Sequence, residues 1–216
     1  MNKILLEKDM YLKINEDTYF QINNDLILTL EIDNNKELNI DINISKNIKA
    51  IVNIFNIDTS INININLDES STIDFINSSI NHNNLKIIEN INHKSSSTSI
   101  ITNHGINVLD GNMDFIINAI VNKDISDANL KQDNKIINYN DGRSKIEPNL
   151  LIDSFDCYAT HSAYISKFNN EELFYLMSRG ISLDESIRLL TKSFLLGKME
   201  LKEIEKSNFI DKIYNI

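Results

Sequence analysis

Between residues 26 and 67 runs of alternating apolar and polar side chains recur. Ile40, Ile42 and Ile44 are spaced by two, as are Ile61, Ile63, Ile65 and Leu67, and Asn or Asp stands between them. A period of two puts the isoleucines on one face of an extended strand and the amides on the other, so one face is buried and one is wet. Turn-forming clusters separate the runs: Asp33-Asn34-Asn35, Ser45-Lys46-Asn47, Asp58-Thr59-Ser60 and Asp68-Glu69-Ser70-Ser71. Further short strands are expected around 73–76, 85–88, 99–102 and 113–121. Short strands at roughly ten-residue spacing with no helix between them fit a sandwich or a solenoid. The Asn-Ile-Asn-Ile runs favour the solenoid, in which Ile lines a narrow interior and Asn stacks in ladders outside or at corners. His82, His93 and His104 are spaced by eleven, either as one column across coils or by coincidence.

The 216 residues include 39 Ile and 34 Asn against one Pro and five Gly. AT-rich coding accounts for much of that excess, but the arrangement still carries the strand signal. Net charge is −10 and is unevenly placed. Residues 171–216 hold 8 acidic and 7 basic side chains, leaving −9 on residues 1–170. The expectation is therefore no nucleic-acid partner, because no basic stripe is present, and no anionic membrane surface. No apolar run is long enough to span a bilayer, and acidic residues interrupt the first ten positions, so a cytoplasmic protein is expected. A single cysteine, Cys157, excludes an internal disulfide framework.

After residue 168 the pattern changes. Asn169-Asn170 supplies an N-cap, with Glu171-Glu172 at the positive end of a helix that Gly180 ends. Ser182 to Glu185 reads as a capping box. The helix it opens carries Ile187, Leu190, Thr191 and Phe194 as one apolar stripe, and Gly197 stops it. A third helix is expected over 199–213. The chain thus divides into a strand domain, 1–168, and a helical segment, 169–216, with no alternation of strand and helix.

Several ordered elements resemble the SufB/SufD family of the SUF iron–sulfur cluster assembly system. ELFYLMSRGISLDESIRLLTKSF, residues 172–194, is very similar to a family tail segment. SKIEPNLLID (144–153) and DANLKQDNKIINYND (127–141) resemble two preceding family elements, and His93, Ser99 and Gly105 fall where the family has an H-x-x-x-x-x-S…G pattern. The resemblance implies a mainly β protein, a right-handed parallel β-helix with a short C-terminal α-helical segment. It implies that the helices dock a SufC-type ABC ATPase. It also implies pairing of the last coils of two chains, as a homodimer or as a heterodimer with a SufB/SufD-type paralogue, with clusters assembling near that surface. Family members are usually much longer. The segment CYATHSAYISKF (157–168) matches the family at His161, Ala163, Ser166 and Lys167. It departs from the family at Ser162, where one form has Glu, and at Ala159, where the other has Cys.

By that resemblance the function is a cluster-assembly scaffold and not an enzyme, with ATP hydrolysis left to the partner. His161 and Cys157 are the candidate ligands of a transient iron–sulfur cluster, with Asp156 a weaker third. Clusters are held mainly by thiolates, with imidazole or carboxylate as lesser ligands. One chain therefore offers too few, and a two-chain interface doubles the set. The plain alternative makes His161 a hydrogen-bonded residue and Cys157 a small hydrophobe. Phe174, Tyr175, Arg179, Gly180, Ile181, Ile187, Leu190 and Phe194 are the candidate ATPase contacts, some of which could instead seal the solenoid's open end. No phosphate-binding loop, nucleophile elbow, C-x-x-C or H-E-x-x-H is present. Two other functions fit the pattern less well: a dimerisation module that tethers the ATPase without handling metal, and a carbohydrate-active β-helix.

Overall fold

The computed structural model describes residues 1–34 and 36–214, so Asn35 of the first turn cluster lies outside the described residues. Strands, numbered in chain order, alternate between two sheets. One sheet holds β1 (Asn2–Leu6), β3 (Thr18–Ile22), β5 (Leu38–Ile44), β7 (Ile61–Leu67), β9 (Asn84–Asn92), β11 (Asn112–Val121) and β13 (Arg143–Ile152). The other holds β2 (Met10–Ile14), β4 (Leu26–Asp33), β6 (Lys49–Ile57), β8 (Thr72–Asn81), β10 (Thr98–Asn107), β12 (Ala128–Asn138) and β14 (Cys157–Ser166). Every pairing is parallel. Each coil contributes one strand to each sheet, which is a parallel β-helix. The coils lengthen along the axis: Thr18 stacks on Ile40, whereas Ile101 stacks on Gln132. Eleven is therefore not the coil repeat. His82 and His93 sit at corners and His104 lies within β10, so the three histidines form no column.

The odd strands follow the alternation read from sequence. Ile40 stacks on Ile63 and Ile42 on Ile65, all with no exposed surface. Burying each is worth about 1.5–3 kcal/mol. On the wet face the amides form the expected ladders. Asn64 Nδ2 donates to Asp41 (2.7 Å), Asn90 to Asn64 (2.9 Å), Asn118 to Asn90 (2.9 Å) and Asn149 to Asn118 (2.9 Å). A one-residue slip would turn the isoleucines to solvent and break these ladders, which fixes the register. At one corner the chain turns through left-handed residues that stack coil on coil: Asn47 (φ 61), Ser70 (φ 58) and Ser96 (φ 57). Asn47 N–H bonds the Glu69 carbonyl and Ser70 N–H the Ser95 carbonyl. Serine adopts this conformation at a cost that the stacked backbone bonds offset.

The even strands β4, β6, β8 and β10 bury both faces over most of their length. Phe55, Ile76, Ile80 and Ile106 point outward, yet they pack with Leu195, Leu196, Met199, Phe209 and Ile213 from the C-terminal helices. These helices are α1 (Asn170–Ser178), α2 (Leu183–Leu196) and α3 (Glu203–Tyr214). Phe209 stacks on Phe55 with ring centres 4.3 Å apart, and Lys212 pairs with Glu31 and Asp33. Asn169 caps α1 through Glu171 N–H, and Ser182 caps α2 through Glu185 N–H, as the sequence indicates. Gly180, at φ +84, ends α1. There the Gly180 N–H bonds the Met177 carbonyl and Ile181 N–H the Leu176 carbonyl. The third helix starts four residues later than 199, because Met199 is spent packing on the sheet.

Candidate functional site

The last coil is built from β13 and β14, and each closes its sheet with an open edge. An open edge presents unpaired N–H and C=O groups to any incoming strand. Pro148 lies on β13, an edge strand, which is where a sheet tolerates proline, and its carbonyl oxygen accepts from the His161 ring.

Cys157, Ala159 and His161 share the inward face of β14, as the period of two requires. They do not share an environment. Cys157 is half-buried, packed with Ala159, Leu150 and Ile152 against Val121, Ala128 and Leu130. His161, four residues on, is exposed. Its Nδ1 donates to the Pro148 carbonyl at 3.0 Å, bridging the two edge strands across the mouth of the solenoid. A carbonyl only accepts, so Nδ1 carries the proton and Nε2 keeps its lone pair for a metal or a donor. Asp156, the weaker third candidate, is exposed, with its backbone N–H bonded to Ser154 Oγ. Among the described residues no group of three or more His, Cys, Asp or Glu could hold a metal ion. A single chain thus offers an imidazole and a part-covered thiol, not a cage.

Around this coil large apolar side chains are exposed: Leu151, Phe155, Tyr158, Tyr164 and Ile165. Phe155 is at 106% of its reference exposure, the fullest exposure of the large hydrophobic side chains at this end. The sequence reasoning passed over these residues, although Tyr158 and Tyr164 alternate with the inward set and so had to face out.

The expected ATPase contacts divide in two. Phe174 and Tyr175 on α1 are exposed at 74% and 56%, and α1 has no fully buried residue. Arg179 lies over the Tyr175 ring, 5.0 Å from its centre. Gly180 is exposed and Ile181 half-buried. On α2, Ile187, Leu190 and Phe194 are half-buried. Phe194 stacks on His104 at 4.3 Å, and its carbonyl accepts from His104 Nδ1 at 2.7 Å. Thr191 is buried and bonded to the Tyr139 hydroxyl. The α2 stripe therefore turns partly toward the solenoid. Between α1, α2 and β14 lies a groove of about 690 Å³, whose lining includes Tyr164, Lys167, Phe168, Glu172, Leu190 and Phe194.

The His93…Ser99…Gly105 pattern has a structural explanation. His93 is buried, with Nδ1 on Ser97 Oγ (2.8 Å) and Nε2 on Ser99 Oγ (2.9 Å). Burial pulls its pKa down to about 4. A Cβ at position 105 would meet Met113 Cε at 2.5 Å and Phe115 Cζ at 2.8 Å, so any side chain there requires Met113 and Phe115 to shift.

The fold is thus a parallel β-helix with an open, aromatic-rimmed final coil and a helical tail laid on one sheet. The family described as SUF system FeS cluster assembly, SufBD core domain, matches residues 46–194, and the chain belongs to that family. It is similar to the iron–sulfur cluster assembly protein SufD of Bacillus subtilis (strain 168). The two are 33% identical over 108 residues, 49% of this chain and 24% of that protein. It is also similar to the iron–sulfur cluster assembly SufBD family protein ycf24 of Galdieria sulphuraria, at 31% over 110 residues, 51% of this chain and 48% of that protein. The match thus spans about half the length of one relative and a quarter of the other. That family is described as one of iron–sulfur cluster assembly. Among the described residues no helix is long and apolar enough to cross a membrane.

Proposed function

We propose that the chain is a non-catalytic, cytoplasmic scaffold subunit for iron–sulfur cluster assembly. It pairs through the open edges of its last coil with a second copy or a SufB/SufD-type paralogue. The nascent cluster is its cargo, held briefly between the two chains. His161 offers Nε2 as a ligand, and Cys157 contributes a thiolate once the edge strand shifts to uncover it. Two chains together supply two imidazoles and two thiolates, where one chain cannot close a site. Supporting this reading above all is the exposed His161 ring on a strand with one open edge, with its tautomer fixed by Pro148.

The helical segment docks a SufC-type ABC ATPase. Phe174, Tyr175, Arg179 and Gly180, with the half-buried Ile181, form the anchor, Leu190 and Phe194 line the adjoining groove, and Ile187 lies on the same helix. An apolar helix face set in a partner's groove is a common recognition mode. ATP-driven closure of two ATPases would then twist the paired solenoids and open the site between them. Co-expression with a SUF-type ATPase tests the docking: the two should co-purify, and loss of the complex with a well-folded chain would remove the assignment. A tethering role without metal is the second reading, favoured by the packing of Cys157 against Leu150 and Ala128. Full cluster-assembly activity after replacement of both His161 and Cys157 would select it.

A further inference from the structure

The solenoid interior carries one carboxylate that the function above does not use. Glu89 on β9 stands in the column of Ile63 on β7 and Ile117 on β11, and it is 0% exposed. Its Oε2 accepts from Asn103 Nδ2 at 2.9 Å. The same Nδ2 donates to Asn134 Oδ1 at 2.9 Å, and Asn134 Nδ2 donates to the carbonyl oxygen of Ser162 at 3.1 Å. Three short links therefore run from a buried carboxylate in one sheet, through β10 and β12, to the edge strand β14 beside His161. Two atoms along this path have no partner: Glu89 Oε1 and Asn103 Oδ1. The groups acting on Glu89 are the amides of Asn77 on β8 and Asn103 on β10, and no charged side chain is among them.

We propose that this chain of amides is a proton-operated coupling, in which protonation of Glu89 reverses Asn103 and Asn134, releases the Ser162 carbonyl and loosens β14 next to His161. A proton arriving from solvent on Oε1 would be a buried donor with no acceptor in reach, because the Asn77 amide oxygen is already held by the Ser79 hydroxyl, and this is costly. On Oε2 it faces the Asn103 N–H, donor against donor. A half-turn of the Asn103 amide places Oδ1 there, to accept from the carboxylic acid. Asn134 must then turn its own NH2 toward that oxygen, so its Oδ1 confronts the Ser162 carbonyl and that bond is lost. Each turn exchanges an oxygen for a nitrogen of nearly equal size, so the packing does not oppose it. Burial pushes the Glu89 pKa up to about 7, which sets the device near neutrality. The coupling is a property of these residues and does not depend on the assigned function.

The test is a pH titration by NMR of the full chain, labelled with 13C and 15N, from pH 5 to 9. The Glu89 carboxyl carbon, the Asn134 side-chain amide and the Ser162 carbonyl carbon should shift with one shared midpoint. Protection factors of the β14 amides near Ser162 should fall about fivefold on the acid side, the worth of one net hydrogen bond. In Glu89→Gln the Asn134 and Ser162 signals should lose this pH dependence. In Asn134→Ala, Glu89 should still titrate while Ser162 no longer follows. A Ser162 signal that stays still while Glu89 titrates in the unaltered chain would overturn the coupling. So would one that follows Glu89 equally in Asn134→Ala. The unaltered chain decides the matter even if a variant fails to fold.

Discussion

His161 Nδ1 and the Pro148 carbonyl oxygen, 3.0 Å apart, tie the two edge strands of the final coil together across the mouth of the solenoid. The bond does two things at once: it braces the open end and it aims the other ring nitrogen outward. These roles separate by substitution. Asn at position 161 can keep a donor near the Nδ1 position but has nothing at Nε2. His161→Asn should therefore hold its unfolding free energy to within about 0.5 kcal/mol of the unaltered chain in urea. It should nonetheless lose iron retention after anaerobic reconstitution. Retained iron would mean the imidazole is a brace and no more.

Glu89 and His93, four residues apart around the end of β9, push stability in opposite directions with pH. The folded pKa of His93 lies near 4, below its unfolded value of about 6.5. The unfolded chain then binds the extra proton between these values, so stability is lost as pH falls through that window. The Glu89 pKa is raised to about 7 from about 4.5. Its contribution is in full below about 4.5 and lost as pH rises to about 7. Each effect is on the order of 3 kcal/mol. Glu89→Gln should therefore flatten the loss of stability between about pH 4.5 and 7, and His93→Gln should remove part of the acid sensitivity. Urea midpoints at pH 4, 5.5, 7 and 8 give both slopes.

Gly105 touches Met113 and Phe115 where a side chain would go. Gly105→Ala should cost about 1–3 kcal/mol through overpacking. Shortening Met113 to Ala should shrink that penalty in a double-mutant cycle, since Met113 Cε is the nearest clashing atom. An unchanged penalty would place the strain in the backbone instead.

The two aromatic groups of the tail should behave oppositely. Phe209, fully buried on Phe55, should cost about 3–5 kcal/mol when cut to Ala. Phe174 is largely exposed, so Phe174→Ala should leave the thermal midpoint unchanged and weaken ATPase binding by tenfold or more. Calorimetry on both variants, with and without the ATPase, checks the pair.

The odd strands were legible in the sequence because one face of that sheet meets water, and Ile–Asn alternation records it. The even strands gave a weaker signal, read at 73–76 in β8 and 99–102 in β10 but not to their full length, because the C-terminal helices cover the outer face of β6, β8 and β10 and hide the alternation. AIVNIF at 50–55 and the outward Ile76 and Ile106 belong to a core whose other half lies more than 80 residues away. Strands β1 to β3 escaped notice for another reason: each is five residues long, too short for alternation to stand out. Helix starts at Asn169 and Ser182 were readable because capping is local chemistry. His161 was found by its resemblance to the family and not by any spacing, since its bond to Pro148 spans two strands that sequence alone does not bring together. Glu89 gave no signal at all. A carboxylate in an isoleucine column is visible only once the register is known.

Sedimentation under anaerobic conditions, after reconstitution with iron and sulfide and detected by cluster absorbance, tests the central claim most directly. The absorbance should travel with a two-chain species and vanish in the chain carrying both His161→Ala and Cys157→Ser. Absorbance on single chains, or absorbance that survives the double replacement, would contradict a cluster held between paired final coils.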